Sequence, residues 1–66
     1  MTEEEKFQLV QTVFEKEAQL YIQTGKKYDK ITEFWLDKYL TKSNFDSILR
    51  ANLDEIYPIA LVLHSQ

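Results

Sequence analysis

One glycine, Gly25, and one proline, Pro58, are all the backbone punctuation in a chain of 66 residues. That scarcity limits the fold more than any motif does. Strand-and-turn folds need glycine, proline and Asn-Gly or Asp-Gly pairs at their reversals, and a chain this poor in them is expected to be all-α.

The spacing of apolar residues agrees. Thr2-Glu3-Glu4-Glu5 has the form of a capping box, in which the threonine hydroxyl accepts from the third amide of the helix and the glutamate returns the bond. Helical periodicity then runs to Thr24, where Gly25 supplies the left-handed residue that closes many helices. After a connector at Lys26 to Tyr28, Asp29 is a suitable N-cap, and Ile31, Phe34, Trp35 and Tyr39 recur at helical spacing through Leu40. Ser43-x-x-Asp46 offers a second box before Phe45, Ile48, Leu49 and Ile56. Pro58 lacks an amide donor and biases Tyr57 away from the helical region, so a break is expected near Tyr57. Asn52-x-x-Glu55 is a further possible restart, and the run Ile59 to Leu63 is compatible with a strand as well as a helix. The expected architecture is a small bundle of three helices plus a short C-terminal helix after Pro58, as one domain, with helices over about 3–24, 30–41, 44–56 and 58–64.

Size then matters. A core this small rarely supplies more than about 3 to 5 kcal/mol, and natural chains of this length add disulfides, a metal or a second subunit. There is no cysteine and only one histidine, His64, so a structural zinc site has almost no ligands, and no cofactor is expected. The opening MTEEEKF lacks the basic and apolar regions of an export signal. The longest apolar run is far shorter than the roughly 20 residues that span a bilayer. A cytoplasmic protein without a membrane segment is the expectation.

The apolar faces are wide. At about 100° per residue, the apolar side chains of the first helix cover roughly 220°, about twice a usual core-facing stripe. Phe7, Val10, Phe14, Ala18 and Tyr21 form one stripe, with Leu9, Val13 and Leu20 beside it. In the second helix Ile31, Phe34, Trp35 and Tyr39 lie on one side and Leu36 and Leu40 on another. Two neighbours within one bundle would account for such width. The reading preferred from the sequence is that one stripe of each helix builds the core and the other meets a second chain. Glu17 and Lys38 interrupt these arcs. Each either extends its head to water or pairs with the other, within the bundle or across a dimer. The candidate partner-binding residues are therefore Phe14, Glu17, Tyr21, Trp35, Lys38 and Tyr39, the four aromatics serving as anchors.

Chemistry is poorly provided for. Nucleophilic catalysis needs a base and an orienting group beside the nucleophile, and the one histidine is two residues from the end. Glu33 and Asp37 lie four apart but fit a solvated face. One glycine cannot build a phosphate-binding loop. The second helix, the turn at Thr41 to Ser43 and the third helix have a helix-turn-helix outline, making a DNA-binding regulator reading with helix 44–56 the alternative function. That helix presents Asn44, Ser47 and Arg50, but also Asp46 and Asp54, which phosphates would repel. A nucleic-acid partner is therefore not the favoured one. Phe45-Asp46-Ser47-Ile48 resembles the Asp-Ser-Leu/Ile signature of acyl carrier proteins. The resemblance implies a phosphopantetheine attached to Ser47. It covers only these residues, lacks the preceding glycine, and leaves 19 residues after Ser47 (66 − 47). What remains is a non-catalytic protein-protein interaction module, an inhibitor, adaptor or regulatory subunit, acting through apolar helix faces as a homodimer.

Overall fold

The structure, a computed structural model, describes residues 2–41 and 43–66. Lys42, placed by the sequence in the turn after the second helix, lies outside the described residues. The chain forms four helices, α1 (Glu3–Thr24), α2 (Lys30–Thr41), α3 (Phe45–Ala51) and α4 (Leu53–His64), and no strand among the described residues. The all-α expectation holds, with Ile59 to Leu63 helical.

The ends of α1 follow from its sequence. Thr2 Oγ1 accepts from the Glu5 amide at 3.1 Å, and Glu5 Oε1 accepts from the Thr2 amide at 2.9 Å. Three glutamates in the first turn meet the positive end of the helix. Gly25 closes it at φ 69°, a conformation that costs a residue bearing a Cβ about 1–2 kcal/mol. At about 1.5 Å per residue, 22 residues span about 33 Å, which matches the 33 Å long axis of the molecule. Asp29 caps α2 as expected, accepting from the Thr32 amide at 2.9 Å.

The second half of the chain departs from expectation in two places. Asn44, not Ser43, holds the N-cap position of α3, and its side chain makes no capping bond. The expected helix 44–56 is also broken earlier than Pro58, at Asn52. There the Asn52 side chain donates to the Ile48 carbonyl at 2.8 Å, and its backbone amide donates to the Ile48 and Leu49 carbonyls. The polar side chain satisfies the end of α3 while the Asn52 carbonyl accepts the first bonds of α4, from Glu55 and Ile56. Pro58 falls inside α4. It leaves one carbonyl, that of Asp54, without its i+4 donor, a loss tolerated because α4 is held by packing.

All four helices supply one core. Val10 and Phe14 of α1, Leu36 of α2, Leu49 of α3 and Ile56 of α4 are completely buried. α1 is the central element, packed along α4 most extensively and along α2 next. Part of its wide apolar arc is thereby used inside one protomer, since Val13 is buried and Leu9 packs against the core, while Ile22 near its C-terminal end is 66% exposed. For Leu9 and Val13 the expectation of an outward second stripe on α1 is corrected, since both pack inward in a helix that contacts α4 and α2.

Candidate interaction surface

The six residues singled out from the sequence fall into different places. Phe14 is fully buried. It stacks on Phe45 at 6.3 Å between ring centroids, and Tyr39 meets both rings edge-on, at 6.4 Å from Phe14 and 5.1 Å from Phe45. Trp35 is only 5% exposed. These aromatics fasten α1, α2 and α3 together. Tyr21 is half-buried and its hydroxyl donates to Asp37 Oδ1 at 3.3 Å. Burial first, then the negative charges of Asp37 and Glu33, raise the Tyr21 hydroxyl above its ordinary range. Of the Glu33/Asp37 pair, Asp37 thus takes up a tyrosine hydroxyl from α1.

Glu17 and Lys38 do not pair with one another as the sequence had allowed. Glu17 is buried, with 5% exposure, and finds its partners in the connector after α1. Its Oε1 accepts from Lys26 Nζ at 3.1 Å and from the Tyr28 hydroxyl at 2.5 Å. A carboxylate taken out of water needs such compensation. Burial pushes its pKa up, but the bond from Tyr28 and the bond and charge of Lys26 outweigh that and hold it below the ordinary range. Tyr28 answers in the opposite sense: burial and then the Glu17 carboxylate raise its hydroxyl far above the usual value. Lys38 sits over the Phe34 ring, 4.8 Å from its centroid, as cations do on aromatic faces.

The surface that stands out is elsewhere. Ile31 is 60% exposed, Phe34 52% and Val62 60%, with Leu61 at 43%, and Pro58 is exposed beside them in sequence. On α2, Ile31, Phe34 and Lys38 are spaced i, i+3, i+7, which places them on one stripe. On α4, Glu55, Pro58 and Val62 have the same spacing. The two helices meet along a shallow cleft of about 220 Å³ whose walls are Asp29 and Thr32 on one side and Pro58, Ile59 and Val62 on the other. A second cleft of about 440 Å³ continues from Lys26 and Thr32 to Val62 and Gln66. The start of α2 therefore lies beside the end of α4. Sequence reasoning sets Ile31 and Phe34 on one stripe with Trp35 and Tyr39 without naming them as anchors, and expects only residues 58–64 as the last helix. The legible signal was that α4, read as one helix from Leu53, is apolar on every side after its first turn.

The helix proposed to enter a DNA groove is shorter than expected and engaged. α3 has seven residues. Arg50 lies 3.9 Å from the centroid of Phe7 and 3.6 Å from a carboxylate oxygen of Glu4, while Asp46 accepts from Gln11 Nε2 at 3.1 Å. Both side chains fasten α3 to the acidic first half of α1. Ser47, the residue of the acyl-carrier resemblance, is exposed in the first turn of α3, its amide donating to the Asn44 carbonyl at 3.1 Å. His64 is exposed at the end of α4. No helix is long and apolar enough to cross a membrane, among the described residues. Comparison of the chain with protein-family models, curated proteins and solved structures gives no match in any of the three.

Proposed function

We propose that this chain is a non-catalytic protein-binding module that associates through the outward apolar sides of α2 and α4, with a second copy of itself as the occupant. The single observation that carries this reading is the exposure of Ile31, Phe34, Leu61 and Val62 on two neighbouring helices of a chain with a very small core. A helix apolar all round belongs in an interior, and α4 has only one of its sides in the protomer core, through Leu53, Ile56, Ala60 and Leu63. Removing apolar surface from water contributes about 25 cal/mol per Å², so covering this surface adds stability that a domain of this size otherwise lacks. The anchors of the reading are Phe34, Ile31 and Val62 rather than Phe14 and Trp35, which fill the protomer. An adaptor, inhibitor or regulatory subunit would use the same surface.

The test is a light-scattering mass measured on the eluting protein at tens of micromolar. A mass twice the 7.9 kDa of the chain is expected. A mass of one chain at every concentration removes self-association, and with it this reading.

A further inference from the structure

The connector between α1 and α2 is fastened by side chains. Gly25 closes one helix and Asp29 caps the next. Between them, Lys26, Lys27 and Tyr28 take no part in the backbone hydrogen bonds outside the helices, among the described residues. What holds this stretch is Glu17. Lys26 Nζ and the Tyr28 hydroxyl both donate to its Oε1, and the same hydroxyl lies 3.4 Å from the Glu17 carbonyl oxygen. The Lys26 ammonium also sits 5.0 Å from the centre of the Tyr28 ring.

These attachments converge on one carboxylate, and so does their dependence on charge. A proton on Glu17 removes the ion pair and turns one acceptor oxygen into a donor. Hydrogen bonds to a charged group are roughly twice as strong as neutral ones, so both attachments weaken in the same step. The core responds in the opposite sense, because a neutral carboxyl is easier to keep out of water than a charged one. Glu17 can therefore stay buried when it is protonated, while the connector loses its anchor. The completely buried side chains Val10, Phe14, Leu36, Leu49 and Ile56 all belong to the helices and not to the connector.

The charged groups around Glu17 are few. Lys26 and Tyr28 reach it from the connector, and Lys16 acts on it from its own helix. From α2, Asp37 and Glu33 act on Tyr21, whose ring stands against Tyr28. α4 contributes the exposed His64 at its end, and α3 directs Asp46 and Arg50 to Gln11 and Glu4 in the first half of α1. The carboxylate is thus held charged chiefly by the connector's own donors, and attachment and ionisation are linked.

We infer that residues 26–28 form an acid-released latch: protonation of Glu17 frees Lys26 and Tyr28, and the connector moves away from α1 while the four helices stay packed. Lys26, Lys27 and Tyr28 line the 440 Å³ cleft together with Val62, Leu63 and Gln66, so release widens that cleft. The latch works within one chain and is independent of self-association. Its sign follows from Glu17, whose pKa lies below the ordinary 4.5. The latch is closed above about pH 4.5 and opens as the pH falls through the folded value.

Glu17→Gln imitates the protonated side chain at neutral pH, and trypsin reads the result, because a cut after Lys26 requires that ammonium to leave Glu17. Cleavage after Lys26 and Lys27 is expected to be about tenfold faster than in the wild type. A chain nicked only there should accumulate before cuts appear after Lys16 in α1 and Lys38 in α2. An unchanged rate, or cuts at all four lysines at one common rate, overturns the latch. The wild type supplies a measurement that needs no variant. In an NMR titration from about pH 7 to about pH 3, the Tyr28 ring signals and the Tyr21–Tyr28 contact should change in one step below the ordinary 4.5 of Glu17. The Trp35 indole and the Val10 and Leu49 methyl signals should still be at their folded positions. Tyr28 signals that persist until those core signals collapse overturn the latch.

Discussion

The Tyr28 hydroxyl donates to the carboxylate of Glu17 from the connector that follows α1, and this bond ties the loop to the middle of the longest helix. Lys26 reaches the same oxygen, and the Tyr28 ring packs edge-on against Tyr21 at 5.9 Å. One buried charge thus fixes where the chain turns from α1 toward α2.

Removing the donor should expose the cost of burying Glu17. Tyr28→Phe leaves the carboxylate with Lys26 alone and is expected to destabilise the fold by about 1–3 kcal/mol. Replacing Glu17 by Leu together with Tyr28→Phe is expected to be much less harmful, since no charge is then left buried. Urea midpoints of the two variants check this, and equal losses would contradict it.

The same carboxylate gives the stability a pH dependence of known sign. Glu17 has a folded pKa below its ordinary 4.5. Its contribution is therefore complete above about pH 4.5 and is lost as the pH falls through the folded value. Glu5 and Asp29, held low chiefly by their hydrogen bonds to Thr2 and to Thr32, act in the same direction. The urea-midpoint difference between wild type and Glu17→Gln should be constant from pH 7 to about pH 5 and shrink below pH 4. A difference that grows on acidification would have the wrong sign.

Trp35 and Phe34 are adjacent and touch, with ring centroids 5.2 Å apart, yet Trp35 is buried and Phe34 is half exposed. Trp35→Glu is expected to unfold the chain, because a charge in a 5% exposed site costs more than a domain this small can lose. Phe34→Asp should keep the helical circular-dichroism spectrum and lose association. Reversed behaviour of the two variants would place the core on the other side of α2.

Pro58→Ala separates folding from association. The alanine amide restores the bond to the Asp54 carbonyl, and the helix is expected to gain about 1–2 kcal/mol. The outward stripe loses an apolar ring, so the dimer should weaken while the protomer melts higher. Thermal melts at two protein concentrations distinguish the effects.

Much of the fold is legible in the sequence, for identifiable reasons. Thr2, Glu5, Gly25 and Asp29 each perform a local backbone task that needs no knowledge of the rest of the chain, and α1 begins and ends, and α2 begins, where these residues place them. The break at Asn52 is less legible. A proline signals interruption strongly, whereas asparagine closes a helix only when its amide can turn back onto a carbonyl such as that of Ile48. Placing the break at Tyr57 hid α4, and with it the helix that covers the second side of α1. Periodicity reports how wide an apolar arc is. It does not report which neighbour occupies it, so Phe14 and Trp35 stand among the anchors that spacing suggests for a partner, while the exposed Phe34 does not. The partners of Glu17 were hidden for a different reason, because Lys26 and Tyr28 belong to a connector that helical spacing does not describe.

The most direct measurement is an amide and methyl NMR spectrum recorded on dilution from the millimolar to the micromolar range. Shifts concentrated at Ile31, Phe34, Leu61 and Val62, with Val10, Leu36 and Leu49 unmoved, are expected if the outward sides of α2 and α4 are covered by a second copy. A spectrum that does not change with concentration, with the mass of one chain throughout, would contradict it.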